Sequence, residues 1–242
     1  MRINVLGVGF DDLTLDEAVD RAFELIGQRR GAYVVTPNPE IVQLCRSDET
    51  AREAVNNADL VLADGIGIIK AASILGTPLK DRVPGIDFAQ AMFARLAQTG
   101  GTVFLFGARP GVAQLAAEKL SERFAGLRIV GTNDGYFDDD APIIEKINSA
   151  KPDFLLVCLG APKQEKWMLE NRASFDVGLM AGLGGSLDVF SGTVRRAPEA
   201  WRKMGLEWLY RLLKEPRRIG RMAKLPLFLV DAAAERLGGK KR

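Results

Sequence analysis

Short runs that are apolar almost throughout, each closed by a polar turn bearing glycine or proline and then by a helical pattern, constrain this chain most. Residues 32–35, 60–62, 102–106, 153–159 and 177–181 are of this kind. Strands with apolar side chains on both faces need cover on both, as in a parallel sheet held between layers of helices. The pattern predicts an α/β chain with a mostly parallel sheet, helices on both faces and a helical C-terminal appendage.

The predicted order opens with a strand near residues 3–5. Thr14-Leu15-Asp16-Glu17 reads as a capping box that starts a helix running to about residue 28. The strand at 32–35 leads to helices at 39–45 and 49–57, and the strand at 60–62 to helices at 66–75 and 86–98. Then come a strand at 102–106, a helix to 124, a strand at 127–130, a helix at 141–149, a strand at 153–159, a helix to about 171 and a strand at 177–181. The body is placed at residues 1–194 and the appendage at 195–242.

Charge divides the chain at the same place. Residues 195–242 hold 14 Lys and Arg against 5 Asp and Glu, net +9, while residues 1–194 are net −7, which gives the overall +2. A strongly basic tail implies an anionic partner for it. Trp201, Met204, Trp208, Leu209, Leu212 and Leu213 fall at helical spacing. Arg211, Lys214, Arg218 and Arg221 follow at intervals of 3, 4 and 3, so a continuing helix would align them on one face. Pro216 would kink it, and Ile219, Met222, Leu225 and Phe228 resume the apolar stripe. Such a stripe bordered by Arg and Lys suits an anionic membrane surface. A packed helix with a solvated basic face is the plainer alternative, and no nucleic-acid-binding signature is present.

Histidine is absent, which excludes Ser-His-Asp and Cys-His catalysis and His-ligated zinc. A general base must be a carboxylate, a lysine, a tyrosine or the substrate itself. Cys45 and Cys158 stand in apolar settings and read as buried thiols of a reducing compartment. No apolar run reaches the roughly 18 residues that span a bilayer, and Asp11 and Asp12 follow Met1 too soon for a signal peptide. The expected location is cytoplasmic, peripheral to the inner face of the cell membrane.

In open α/β sheets ligands bind at the carboxyl ends of strands. Ala63-Asp64-Gly65-Ile66-Gly67 puts a carboxylate there, beside glycines that admit a substrate to the backbone. Asp64 is either a helix cap or a group that takes or positions a hydroxyl proton. Thr36-Pro37-Asn38 is either turn chemistry or a rigid hydroxyl and amide for a sugar. Gly160-Ala161-Pro162-Lys163-Gln164-Glu165 is either a proline-opened helix or an anion-facing helix start. Residues 107–111 and Gly182-Leu183-Gly184-Gly185 repeat the theme, which adds Gly184 and Gly185 to the candidate substrate contacts. None matches a dinucleotide or Walker A fingerprint. Asp138-Asp139-Asp140 precedes a helix, where acidic residues suit the dipole, and demands no metal.

Thr36-Pro37-Asn38, Ala63-Asp64-Gly65-Ile66-Gly67, Arg82-Val83-Pro84-Gly85-Ile86-Asp87 and Gly160-Ala161-Pro162-Lys163-Gln164-Glu165, in that order, resemble the WecG/TagA/CpsF glycosyltransferase family. Leu206-Glu207-Trp208-Leu209-Tyr210-Arg211-Leu212, with Glu215-Pro216-Arg217-Arg218 after it, is similar to the TagA branch. The resemblance covers nearly the whole chain. It implies a Rossmann-like core and an inverting, metal-independent transferase with no cofactor, which moves an N-acetylhexosamine from a UDP-sugar to a polyprenyl-diphosphate-linked acceptor. In the TagA branch the sugar is N-acetylmannosamine, the acceptor is N-acetylglucosamine on undecaprenyl diphosphate, and the product enters wall teichoic acid. Related members serve other surface polysaccharides. Matched by motif, Asp64 is implied as catalytic base, and Thr36, Asn38, Arg82 and Gln164 as substrate contacts.

Without a metal, guanidinium groups and helix N-termini must stabilise the leaving diphosphate, which makes Arg211, Arg218 and Arg221 its candidate ligands. The α/β pattern alone also allows a nucleotide-dependent oxidoreductase. The basic tail alone allows a non-catalytic membrane-associated module. Self-association into a homo-oligomer is left open.

Overall fold

The computed structural model describes residues 1–214 and 224–238. Its strands are β1 (Arg2–Val5), β2 (Val8–Asp11), β3 (Ala32–Val35), β4 (Leu60–Val61), β5 (Thr102–Gly107), β6 (Arg128–Asn133), β7 (Phe154–Cys158) and β8 (Leu179–Gly182). Those from β3 onward form one sheet in the order β4-β3-β8-β7-β5-β6, with every neighbouring pair parallel. The α/β expectation is borne out. The late strand β8 is inserted between β3 and β7, unlike the order of dinucleotide-binding sheets.

In chain order the helices are α1 (Leu15–Gln28), α2 (Pro39–Ser47), α3 (Glu49–Asn56), α4 (Ile66–Leu75), α5 (Gly85–Thr99), α6 (Val112–Arg123), α7 (Ala141–Ala150), α8 (Lys163–Asn171), α9 (Ser186–Phe190), α10 (Glu199–Lys203), α11 (Glu207–Lys214) and α12 (Lys224–Gly238). Strand side chains alternate between two cores. Ala32, Val34, Val103, Leu105, Phe154 and Leu156 join α1, α5, α6 and α9 on one face. Tyr33, Val35, Phe104, Phe106, Leu155 and Val157 join α2, α3, α4, α7, α8 and α12 on the other. Period-two alternation with both sets apolar is what makes these runs read as uniformly hydrophobic. Phe93 fixes α5 to its face, with its ring edge-on to Phe154 at 6.1 Å and to Phe190 at 5.4 Å.

The capping box is present: Thr14 Oγ1 accepts from Glu17 N–H at 3.3 Å, and Glu17 Oε2 accepts from Thr14 N–H at 2.8 Å. The opening segment differs from expectation, because β1 continues through a two-residue turn at Leu6 and Gly7 into β2. Both turn residues take positive φ, as a twisted hairpin requires. The hairpin protects the edge strand β4, whose Val61 N–H donates to Asp11 Oδ2 at 2.8 Å.

The tail also differs. A single helix through residues 198–214 does not form: Gly205, at φ +70°, breaks it into α10 and α11. Trp201 therefore meets Tyr210 by the chain folding back, with ring centroids 5.8 Å apart, rather than by sharing a helical face with Trp208. Farther on, α12 packs against α4 and α2 and buries Phe228 and Ala232. Gln43 Nε2 donates to its Asp231 at 2.7 Å, and Arg46 pairs with the same carboxylate. Among the described residues no helix is long and apolar enough to cross a membrane.

Candidate active site

The strand order decides where a ligand can sit. The loops after β3 and β7 lead to α2 and α8 on one face of the sheet, and those after β8 and β5 lead to α9 and α6 on the other. Neighbouring loops that diverge leave a crevice at the carboxyl edge. Asp64 follows β4, Thr36 and Asn38 follow β3, Gly184 and Gly185 follow β8, and Gln164 follows β7. These four strands are adjacent, so residues spread over 150 positions share one rim.

Asp64 does not cap α4, the helix that follows it. Gly65 occupies the N-cap of α4, without a side-chain hydrogen bond, and Asp64 reaches instead toward α5, accepting from Gly85 N–H at 3.5 Å. That amide is one of the donors a helix N-terminus leaves without an internal partner, and it orients a carboxylate favourably. The segment before α5 is tied to the same strand end, because Val83 N–H donates to Ala63 C=O at 2.9 Å. Half-buried Arg82 directly precedes Val83 and so leaves the backbone at the same strand end.

Gly85 is where three loops converge. A Cβ there would lie 2.9 Å from Thr36 Oγ1 and 3.0 Å from Leu183 Cδ2, so only glycine lets α5 begin against both. Thr36 is buried, and Asn38 caps α2, its Oδ1 accepting from Ile41 N–H at 3.0 Å. Asn38 therefore supplies turn chemistry, with its oxygen committed to the cap of α2.

Gln164 is buried and bridges two loops. Its Oε1 accepts from Gly184 N–H at 3.0 Å, and its Nε2 donates to Glu165 Oε1 at 2.8 Å. Glu165 is also buried, its Oε2 has no hydrogen-bond partner among the described residues, and burial pushes its carboxyl above the usual range, with the Gln164 bond offsetting part of that. Burial raises the Cys45 thiol to about 11 and the Cys158 thiol to about 12, so neither is a nucleophile near neutrality.

Asp138-Asp139-Asp140 is occupied structurally. Asp139 Oδ1 accepts from Ala141 N–H at 3.0 Å, and Asp140 Oδ1 accepts from the Trp167 indole at 2.7 Å, which ties α8 to the start of α7. Among the described residues no three His, Cys, Asp or Glu side chains are gathered as a metal site would require. A shallow depression of about 600 Å³ beside Ile144, Asn148 and Ser174 lies where the chain enters β7 and β8, at the opposite edge of the sheet.

The sequence profile of the glycosyl transferase WecG/TagA/CpsF family matches residues 3–242. The chain belongs to that family. It is 35% identical, over 99% of its own length and 95% of theirs, to proteins from Staphylococcus aureus strains MW2 and NCTC 8325 / PS 47. Both are named N-acetylglucosaminyldiphosphoundecaprenol N-acetyl-beta-D-mannosaminyltransferase.

The segments that carried the WecG/TagA/CpsF resemblance thus converge on one rim through Gly85 and Gln164. Of the arginines expected to bind diphosphate, Arg218 and Arg221 lie outside the described residues, as does the side chain of Arg211. Sequence reasoning assigned no role to Gly85, Glu165 or Asp87, although each sits inside a quoted motif, nor to Arg196. The signal for Gly85 was a glycine directly after Pro84 at a helix start. Arg196 offered none, being one basic residue among many.

Proposed function

We propose that the chain is an inverting glycosyltransferase that moves N-acetylmannosamine from a UDP-sugar to the N-acetylglucosamine of undecaprenyl-diphosphate-linked acceptor, an early step in wall teichoic acid or a related surface polysaccharide. One observation carries the reading: Asp64, Thr36 and the Gly85 amide meet at the carboxyl edge of a chain similar along 99% of its length to transferases of that name. Asp64 takes the proton of the acceptor hydroxyl while that oxygen attacks the anomeric carbon from the face opposite UDP. Thr36, Asn38, Arg82, Gln164, Gly184 and Gly185 hold the sugar and its diphosphate in line for that attack. Negative charge grows on the departing diphosphate, and Arg211, Arg218 and Arg221 of the tail receive it in place of a metal ion. The basic tail meets the inner surface of the cell membrane, where a polyprenyl acceptor resides.

The test is a set of UDP-N-acetylhexosamines offered with a polyprenyl-diphosphate N-acetylglucosamine analogue, with product read by mass. Transfer from UDP-N-acetylmannosamine is expected. In the Asp64→Asn variant turnover should fall by about 10²- to 10⁴-fold, the usual worth of a general base, with UDP affinity unchanged. Normal turnover in that variant would remove Asp64 from the mechanism.

A further inference from the structure

The proposed reaction draws its charge stabilisation from a tail, and something must hold that tail over the rim. Arg196 stands at the junction. Its guanidinium grips both oxygens of Asp87, Nη1 to Oδ1 at 2.5 Å and Nη2 to Oδ2 at 2.7 Å, while Nε reaches Glu207 Oε1 at 3.4 Å. The Arg196 side chain is only 12% exposed, as is that of Glu207. Asp87 lies in the first turn of α5, two residues beyond the Gly85 amide that meets Asp64. Glu207 opens α11. Between α10 and α11 the backbone at Gly205 packs on Ile66, where an added Cβ would sit 3.4 Å from Cγ1, and Ile66 is the second residue after Asp64. The segment that opens the tail therefore touches both elements that frame Asp64, and Arg196 joins it to α5.

We infer that Arg196 is a positioning residue, a clamp that fastens the carboxy-terminal segment to the first turn of α5 and so keeps tail and Asp64 in one geometry. The inference rests on the transferase reading for its catalytic consequence but not for its structural one. Both oxygens of Asp87 are spent on this guanidinium, so removing the cation strands that carboxylate at a poorly hydrated junction. Loss of Arg196 should release the start of α11 from α5. A planar fork that binds both oxygens of one carboxylate fixes orientation as well as distance, which lysine cannot do.

The experiment compares the full-length protein with Arg196→Met, Arg196→Lys and the double variant Asp87→Asn/Arg196→Met. It reads hydrogen exchange by mass spectrometry, UDP affinity, and transfer to the lipid-linked acceptor. Arg196→Met should raise exchange in residues 199–214 and in the first turn of α5, leave UDP affinity within about twofold, and lower kcat for transfer at least tenfold. Arg196→Lys should fall between, and Asp87→Asn in the double variant should recover part of the loss by removing the stranded charge. Unchanged exchange in Arg196→Met overturns the clamp whatever the activity, and full transfer activity overturns its catalytic consequence. A double variant worse than the single one overturns the stranded-charge argument. Should Arg196→Met fail to fold, the same comparison is made with Arg196→Lys against wild type. A wild-type protein that transfers nothing would defeat the transferase reading alone, since the exchange result stands apart from it.

Discussion

Glu165 is a carboxylic acid in a place where a carboxylate is costly. Burial raises its affinity for the proton above that of the same residue in the unfolded chain, so the folded state binds more protons across the interval between the two values. Stability conferred on the fold is thus undiminished below the ordinary glutamate range and declines as pH rises through it, levelling once the raised value is passed. Glu165→Gln should flatten that decline: denaturation midpoints of wild type and variant should agree near pH 4 and separate in the variant's favour near pH 8. A gap that does not grow with pH would mean that Glu165 is ionised in the folded protein. Catalysis should separate Glu165→Gln from Glu165→Leu. Gln at 165 still offers an oxygen to Gln164 Nε2 and should keep Gln164 turned toward Gly184. Leu offers none, and turnover should drop about tenfold, the equivalent of one hydrogen bond of roughly 1.4 kcal/mol. At this scale the sequence disclosed residue types near the rim but not their partners. Gln164 read as a ligand contact, and the sequence did not disclose that its Oε1 and Nε2 also bond to Gly184 and Glu165. Asn38 read as either cap or contact, and its cap role is now explicit.

Elements were legible where their signal was local. The capping box at Thr14, the apolar strands and the helix starts after Asn38 and Gly65 all lie within a few residues of the chemistry that dictates them. The second strand of the opening hairpin escaped because Val8-Gly9-Phe10-Asp11 is short and the contacts that anchor it beyond β1, to Val61 and Asn56, are some fifty positions away. Helix α5 was legible, expected at 86–98 and found at Gly85–Thr99, but the dependence of its start on contacts with Thr36 and Leu183 was not. That dependence is testable by Gly85→Ala. The added methyl would stand 2.9 Å from Thr36 Oγ1, and threonine, branched at Cβ, has little rotamer freedom with which to yield. The first turn of α5 must move instead, carrying the amide away from Asp64. Overpacking of this kind costs about 1–3 kcal/mol in stability. Transfer should fall by tenfold or more at temperatures where the variant remains fully folded, because the reacting geometry tolerates displacement less well than the core does. A stable Gly85→Ala protein with wild-type turnover would show that the Gly85 amide is incidental.

For the whole molecule, the question is whether one basic segment can serve both the fold and a membrane surface. Helix α12 has one face in the core and one exposed. Phe228 and Ala232 point into the core beside α4, whereas Leu227, Val230 and Leu237 are 61%, 61% and 70% exposed, at spacings that place them on one outward stripe. Truncating Phe228 to alanine removes a fully buried ring and should cost about 3–5 kcal/mol, visible as a large drop in melting temperature. Replacing Leu227, Val230 and Leu237 together by serine touches no packed contact, so stability should change by only about 0.5 kcal/mol per site or less. If the stripe enters the interfacial region of an anionic bilayer, each lost apolar side chain removes about 1 kcal/mol or more of partitioning energy, and the triple variant should bind vesicles roughly a hundredfold less well. The net charge of +9 in residues 195–242 adds a second dependence. Wild-type binding to vesicles containing anionic lipid should weaken as salt shortens the Debye length from about 8 Å at 0.15 M to about 3 Å at 1 M, and vesicles of neutral lipid should bind poorly at any salt. Vesicle flotation of the two variants beside wild type reads both dependences at once. A triple variant that floats as well as wild type would assign the stripe to solvent and leave charge alone to bring the tail to the membrane.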